Sequence, residues 1–272
     1  MYKNIANKNV IEGIPYQSLF DRWIRVEKWA NIFIWITGIL SLVSVFWIYV
    51  PLDWPVALKK IILVVNPFAI VIGIALTWGA KICSGPVAGR ERIGGFIDDA
   101  FETKILEKPI NHYYTNVEIE KGTKRMAANC FENCFFTESI SSKMTIRIIL
   151  KNIIATLLFI VIGMINLNVE TITASLQFLM SSVLLEELFV HWKFRRAIHE
   201  LFERFKILYD TMSPDDEKFQ AQATYMVIIY EKFQSYYNQP LNSKIYRKLK
   251  SKLSDQWEEM KKRYNILSET LE

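Results

Sequence analysis

Cysteine and histidine are both scarce in this chain of 272 residues. The three cysteines, Cys83, Cys130 and Cys134, are too few for a disulfide framework. The three histidines, His112, His191 and His199, leave little material for acid–base or nucleophilic chemistry. GxSxG, Walker and HExxH patterns are missing. The Gly94-Gly95 pair is no GxGxxG and follows no strand, and it reads as a flexible start to a helix over 90–106. Strand-rich stretches and internal repeats are missing too. Residues 1–28 carry five basic residues, three acids and Pro15 without a cleavage pattern, so no signal peptide is expected. These absences point away from an enzyme, a cofactor or a bound metal.

What is present is apolar and segregated. Hydrophobic residues make up 51% of the chain and aromatics 14%, which excludes disorder. Net charge is +5, from 33 Lys and Arg against 28 Asp and Glu. Trp29–Val50 holds 22 uncharged residues and Ile61–Ala80 another 20, near the roughly 20 that a bilayer requires. Asn152–Val169 is uncharged, and Thr171–Leu185 adds 15 uncharged residues, less apolar than the rest, after a turn at Asn166–Glu170. Lys and Arg number five before the first run, ten over 81–147 and fifteen after Leu185. By the positive-inside rule this places both tails and the central segment in the cytoplasm. The expected fold is therefore an all-α integral membrane protein of four transmembrane helices in two hairpins. Its segments are a tail (1–28), a first hairpin (29–80), a cytoplasmic helical insert (81–147), a second hairpin (148–185) and a cytoplasmic helical region (186–272). Abundant Lys, Asn and Ile suggest a bacterial source, hence the bacterial inner membrane.

Within the cytoplasmic parts, one helix is expected over 90–106 and another from Thr123 into the third run. Ser213-Pro214-Asp215-Asp216 supplies a cap, a first-turn proline and acids for a new helix. Phe219, Ala223, Met226, Tyr230, Phe233 and Tyr237 then form a heptad seam suited to assembly. A last helix starts near Ser243, with Ile245, Leu249, Leu253, Trp257, Met260, Tyr264 and Leu267 at helical spacing.

Candidate sites are few. Cys130 and Cys134 with His112 would give three metal ligands, but no fourth is evident, and small buried side chains are the preferred reading. The Asp98-Asp99 and Glu186-Glu187 pairs read as solvated acids. Polar residues fall on one face of each run: Thr37, Ser41 and Ser44; Asn66, Gly73 and Thr77; Asn152, Thr156, Gly163 and Asn166. Helix packing accounts for these. In the fourth run, Thr171, Ser175, Ser182 and Glu186 would line a hydroxyl-rich pore if copies assemble. A basic and aromatic set, Arg90, Arg92, Lys104, Lys108, Tyr113, Tyr114, Lys121, Lys124 and Arg125, is the candidate ligand site for phosphates and bases. The Lys244–Lys252 run reads equally as a surface for headgroups, for nucleic acid or for solvent alone.

The layout, with Ile97–Ile105 (Glu102 between Phe101 and Thr103), Tyr113–Asn116 and Arg125–Met144, resembles the four-span effectors of bacterial anti-phage systems. Those effectors accompany nucleotidyltransferases that make cyclic-oligonucleotide or DNA-oligomer signals. The resemblance implies an oligomeric effector in the lipid bilayer that permeabilises or depolarises the inner membrane under control of a cyclic nucleotide or DNA oligomer, and a homo-oligomeric pore is the leading reading. Two rivals are a non-conducting membrane scaffold that presents its helical cytoplasmic domain to a protein partner, and a small transporter or lipid-modifying enzyme. The last lacks an intramembrane charge and a catalytic cluster.

Overall fold

The computed structural model describes residues 17–49, 55–79, 82, 85–106, 114–165, 183–237 and 241–267. These are helical, without a strand. The helices are α1 (Gln17–Tyr49), α2 (Val56–Gly79), α3 (Gly85–Phe101), α4 (Thr123–Ile165), α5 (Val183–Thr211), α6 (Glu217–Tyr237) and α7 (Ser243–Arg263). The chain divides into two compact units. One takes in Met1–Phe20, Pro86–Ile140 and Arg196–Glu272; the other takes in Asp21–Gly85 and Ser141–Arg195.

One expectation is overturned. Among the described residues no helix is long and apolar enough to cross a membrane. The integral membrane fold with four spans in two hairpins is corrected accordingly, and so is the multi-pass inner-membrane location. An uncharged run in sequence is not by itself a span, and each of the first three runs here is carried on a helix that also holds charged residues. The helices here do not begin and end with the runs. α1 starts at Gln17 and carries Asp21, Arg22, Arg25, Glu27 and Lys28, α2 contains Lys59 and Lys60, and α4 mixes its apolar stretch with charges from Lys124 to Lys151. The Asn166–Glu170 turn and most of the fourth run lie outside the described residues.

In the unit of 21–85 and 141–195, three residues of the polar stripes bond within their own helices. Thr77 Oγ1 donates to Gly73 O at 2.9 Å, Asn152 Nδ2 to Ile148 O at 2.9 Å and Thr156 Oγ1 to Asn152 O at 2.9 Å. Each is a bond to the preceding turn, which suits a Ser, Thr or Asn in a helix interior. His191 is buried, with Nε2 3.0 Å from Thr145 Oγ1 and 3.1 Å from Ser141 O. Burial lowers its pKa. Lys151 pairs with Glu187. Trp29, Phe68, Val71 and Trp78 are exposed on this unit.

The other unit is built on aromatic packing. Phe131 on α4 meets Phe202, Phe205 and Tyr209 of α5 and Trp257 of α7, together with Tyr264 just beyond, at centroid distances of 5.4–5.8 Å. Ring pairs of this kind each add about 0.5–1.5 kcal/mol beyond area burial. The expected seam on α6 turns inward here: Phe219, Ala223, Met226 and Tyr230 are buried, along with Val227. α6 starts at Glu217, later than the Ser213 cap implies, because Asp216 takes the capping role. Its Oδ1 accepts from Lys218 N at 2.8 Å, while its carbonyl accepts from Gln220 N at 3.0 Å. Asn242 caps α7 as its Oδ1 accepts from Lys244 N and Ile245 N at 3.0 and 3.1 Å.

α3 ends at Phe101 rather than running to 106. Glu102 takes a left-handed φ of 53°, and the chain folds back over α3. Asp98 fixes that return: Oδ1 accepts from Thr103 Oγ1 at 2.6 Å and Ile105 N at 2.8 Å, and Oδ2 from Leu106 N at 2.9 Å. Gly94 is no flexible start. A Cβ there would lie 2.9 Å from Leu106 Cδ2, so the missing side chain makes room for the return.

Candidate functional site

The cations expected to form a ligand site have mostly other duties. Arg92 makes a two-pronged pair with Glu231, Nη1 to Oε1 at 2.9 Å and Nη2 to Oε2, and its guanidinium lies 5.7 Å from the Tyr230 ring. Burial alone would lower the Arg92 pKa, but the Glu231 charge and hydrogen bond, with Tyr230 and Tyr114, together outweigh it and the guanidinium stays charged. Arg125 is buried and donates to backbone carbonyls: Nε to Ile119 O at 2.9 Å and Nη2 to Val117 O at 2.9 Å. Lys121 pairs with Glu102, and Lys124 with Asp215 and Glu120. Tyr114 is buried edge-on to Phe96 at 5.7 Å. Arg90 and Lys104 are exposed, and Lys108 and Tyr113 lie outside the described residues. These side chains therefore hold α3, α4, α6 and the 114–122 segment together, and no anion pocket gathers them. Of the pore set, Glu186 is exposed in the first turn of α5, while Thr171, Ser175 and Ser182 lie outside the described residues.

Cys130 and Cys134 are fully buried and adjacent. Burial, reinforced by Cys134, pushes the Cys130 thiol well above its ordinary range, which keeps it protonated and unreactive. Among the described residues no group of three or more His, Cys, Asp or Glu is placed to hold a metal. His112 lies outside them.

A different cluster occupies the interior. Asn116 Nδ2 donates to Asn129 Oδ1 at 2.9 Å and to Glu132 Oε2 at 2.8 Å, while Asn116 Oδ1 accepts from Trp257 Nε1 at 3.1 Å. Asn129 Nδ2 donates to Asp99 Oδ2 at 2.7 Å, and Thr115 Oγ1 to Glu132 Oε1 at 3.1 Å. Lys261, only 2% exposed, adds its charge and pairs with Glu258 at 2.7 Å. Burial pushes Glu132 up to about 7, against the pull of Thr115, Asn116 and Lys261. Burial also raises Asp99. The network anchors the 114–120 segment to α3, α4 and α7. Sequence reading missed it. The available signal was polar Asn129 and Glu132 three apart on a helix face otherwise buried and apolar.

The remaining features are on the surface. A groove of about 370 Å³ runs between α5 and α6, lined by Arg204, Ile207 and Leu208 and by Gln222, Tyr225 and Met226. Beside it the outer face of α6 repeats the 4, 3, 4 spacing of its inner face, through Ala221, Tyr225, Ile228 and Lys232. On α7, Lys244, Arg247, Lys248, Lys250 and Lys252 are all exposed with no acid among them. None has a carboxylate partner among the described residues. Comparison with known proteins finds no matching family, curated protein or solved structure.

Proposed function

We propose that the chain acts by binding rather than catalysis, as a helical scaffold that assembles through the outer face of α6. The observation that carries this is the exposure of Tyr225 (57%), Ile228 (60%) and Ile207 (60%) side by side, next to an open groove. Large apolar side chains grouped on one face beside a concavity favour a partner. The occupant is a second copy. The outer face has coiled-coil spacing, and antiparallel pairing of two such faces sets Tyr225 of each copy against Ile228 of the other, giving a self-complementary two-fold contact. Of the effector reading, the pore needs spans that the described helices do not provide. Assembly through α6 needs none.

The test is solution mass by light scattering over a concentration series. The wild type assembles, and the Tyr225→Glu/Ile228→Glu double variant runs as a monomer with unchanged helicity, since both positions are exposed. A wild type that stays monomeric throughout overturns the proposal.

A further inference from the structure

We infer that the outer face of α7 is a nucleic-acid-binding surface that takes a phosphate backbone on Lys244, Arg247, Lys248, Lys250 and Lys252. These cations cover nine residues of helix, about 12 Å of axis, without an intervening acid. Helical rotation of about 100° per residue spreads them over roughly half of the cylinder, the half opposite buried Ile245, Leu253 and Trp257.

The placement works against the helix itself. Lys244–Lys248 and Lys248–Lys252 are like-charge pairs four apart, and Lys244–Arg247 and Arg247–Lys250 are pairs three apart. The first turn holds no acid, although that end of a helix favours negative charge. Elsewhere in the same unit, Arg92, Lys121, Lys124, Lys206 and Lys261 have carboxylate partners. A run left unpaired where pairing would stabilise the helix calls for an external anion. The platform is firm, since Asn242 caps α7 and Trp257 locks it to Asn116.

Composition selects the kind of anion. Four of the five cations are lysines, which meet phosphates as point charges, whereas paired carboxylates favour the arginine fork. α7 exposes no large hydrophobic side chain among the described residues. Protein interfaces have apolar centres depleted of lysine, so an acidic protein fits this face poorly. A polynucleotide does not need an apolar centre.

The experiment uses the full chain and a labelled oligothymidylate of about 20 nucleotides, read by fluorescence anisotropy, with a duplex of equal length in parallel. With four to five phosphate contacts, log K falls against log salt with a slope of about −3 on the single strand, a loss of roughly 60-fold between 50 and 200 mM. Lys244→Gln/Arg247→Gln/Lys248→Gln flattens the slope by about 2 at unchanged thermal stability, while the arginine-for-lysine variant at 244 and 248 retains binding. Tighter binding of the strand or of the duplex identifies which form is preferred, and either supports the inference. No binding of either at 50 mM salt overturns it. So does unaltered binding by the triple glutamine variant, or equal displacement by polyglutamate of matched charge.

Discussion

Replacing Glu132 by Gln should remove most of the pH dependence of the unit that contains it. The unfolded carboxyl titrates near 4.5, and burial raises the folded one to about 7. A raised carboxyl means that the folded state holds a proton that the unfolded state has released. Between these two values stability therefore falls as pH rises. The contribution is fully present below the unfolded value and lost as pH passes through the folded one. At about 1.4 kcal/mol per pH unit, the shift amounts to about 3 kcal/mol. For a domain of about 150 residues this is roughly 6–12 °C in Tm. Asp99, raised by burial, acts in the same direction. Burial alone would raise Asp98, but its hydrogen bonds from Thr103, Leu106 and Ile105 prevail and its pKa is lowered. Its contribution is therefore lost only as pH falls below the ordinary carboxylate range, outside the window that Glu132 controls.

Glutamine keeps the shape and an oxygen for Thr115 and Asn116 without a charge to bury. The wild type should melt at a higher temperature at pH 5 than at pH 8, and Glu132→Gln should show a much shallower profile, with the remaining slope from Asp99. Scanning calorimetry at several pH values reads both, and amide exchange over residues 114–120 shows whether the loss is local. A wild type more stable at pH 8, or a glutamine variant with the same slope, would refute the assignment of this proton to Glu132.

Two further outcomes follow from single contacts. Trp257→Phe keeps an aromatic ring against Phe131 but leaves Asn116 Oδ1 without its donor, so urea unfolding should show a loss of about 1–3 kcal/mol. Its effect should be non-additive with Glu132→Gln, because Asn116 bonds both. In the other unit, burial lowers the His191 pKa, so its contribution is full above about 6.5 and is lost as pH falls through the folded value. Amide protection around Thr145 and His191 should drop from pH 7.5 to pH 5, and His191→Gln should abolish the change; equal protection at both pH values would count against it.

What the sequence made legible was local. The start of α4 at Thr123 and of α7 at Ser243 could be read from periodicity, and burial of Ile245, Leu253, Trp257 and Tyr264 follows the expected face. The α6 seam was legible as a pattern but not as a destination, since heptad spacing serves an internal core as well as a second copy. The return of residues 102–106 over Gly94 was hidden, because Asp98 has the same composition whether it is solvated or accepts three hydrogen bonds. Contacts such as Arg92 to Glu231 and Asn116 to Trp257 join residues about 140 apart, beyond any local periodicity.

The membrane expectation failed for a related reason. It rested on where uncharged runs fall and on a count of Lys and Arg, and both are sums along the chain. The structure gives those cations three different fates. Arg92 and Lys124 are neutralised by carboxylates distant in sequence, and Arg125 is satisfied by carbonyls in the interior. The cations of Lys244–Lys252 stand exposed without an ion pair to a described acid. A tally treats all three alike, yet only the last leaves a field outside the protein for a ligand to feel. A lysine's functional meaning is therefore set by what lies within a few ångströms of its nitrogen. On that basis the exposed face of α7 is a stronger anion site than the basic central segment, although the central segment holds more of the aromatic and charged residues that a motif search rewards.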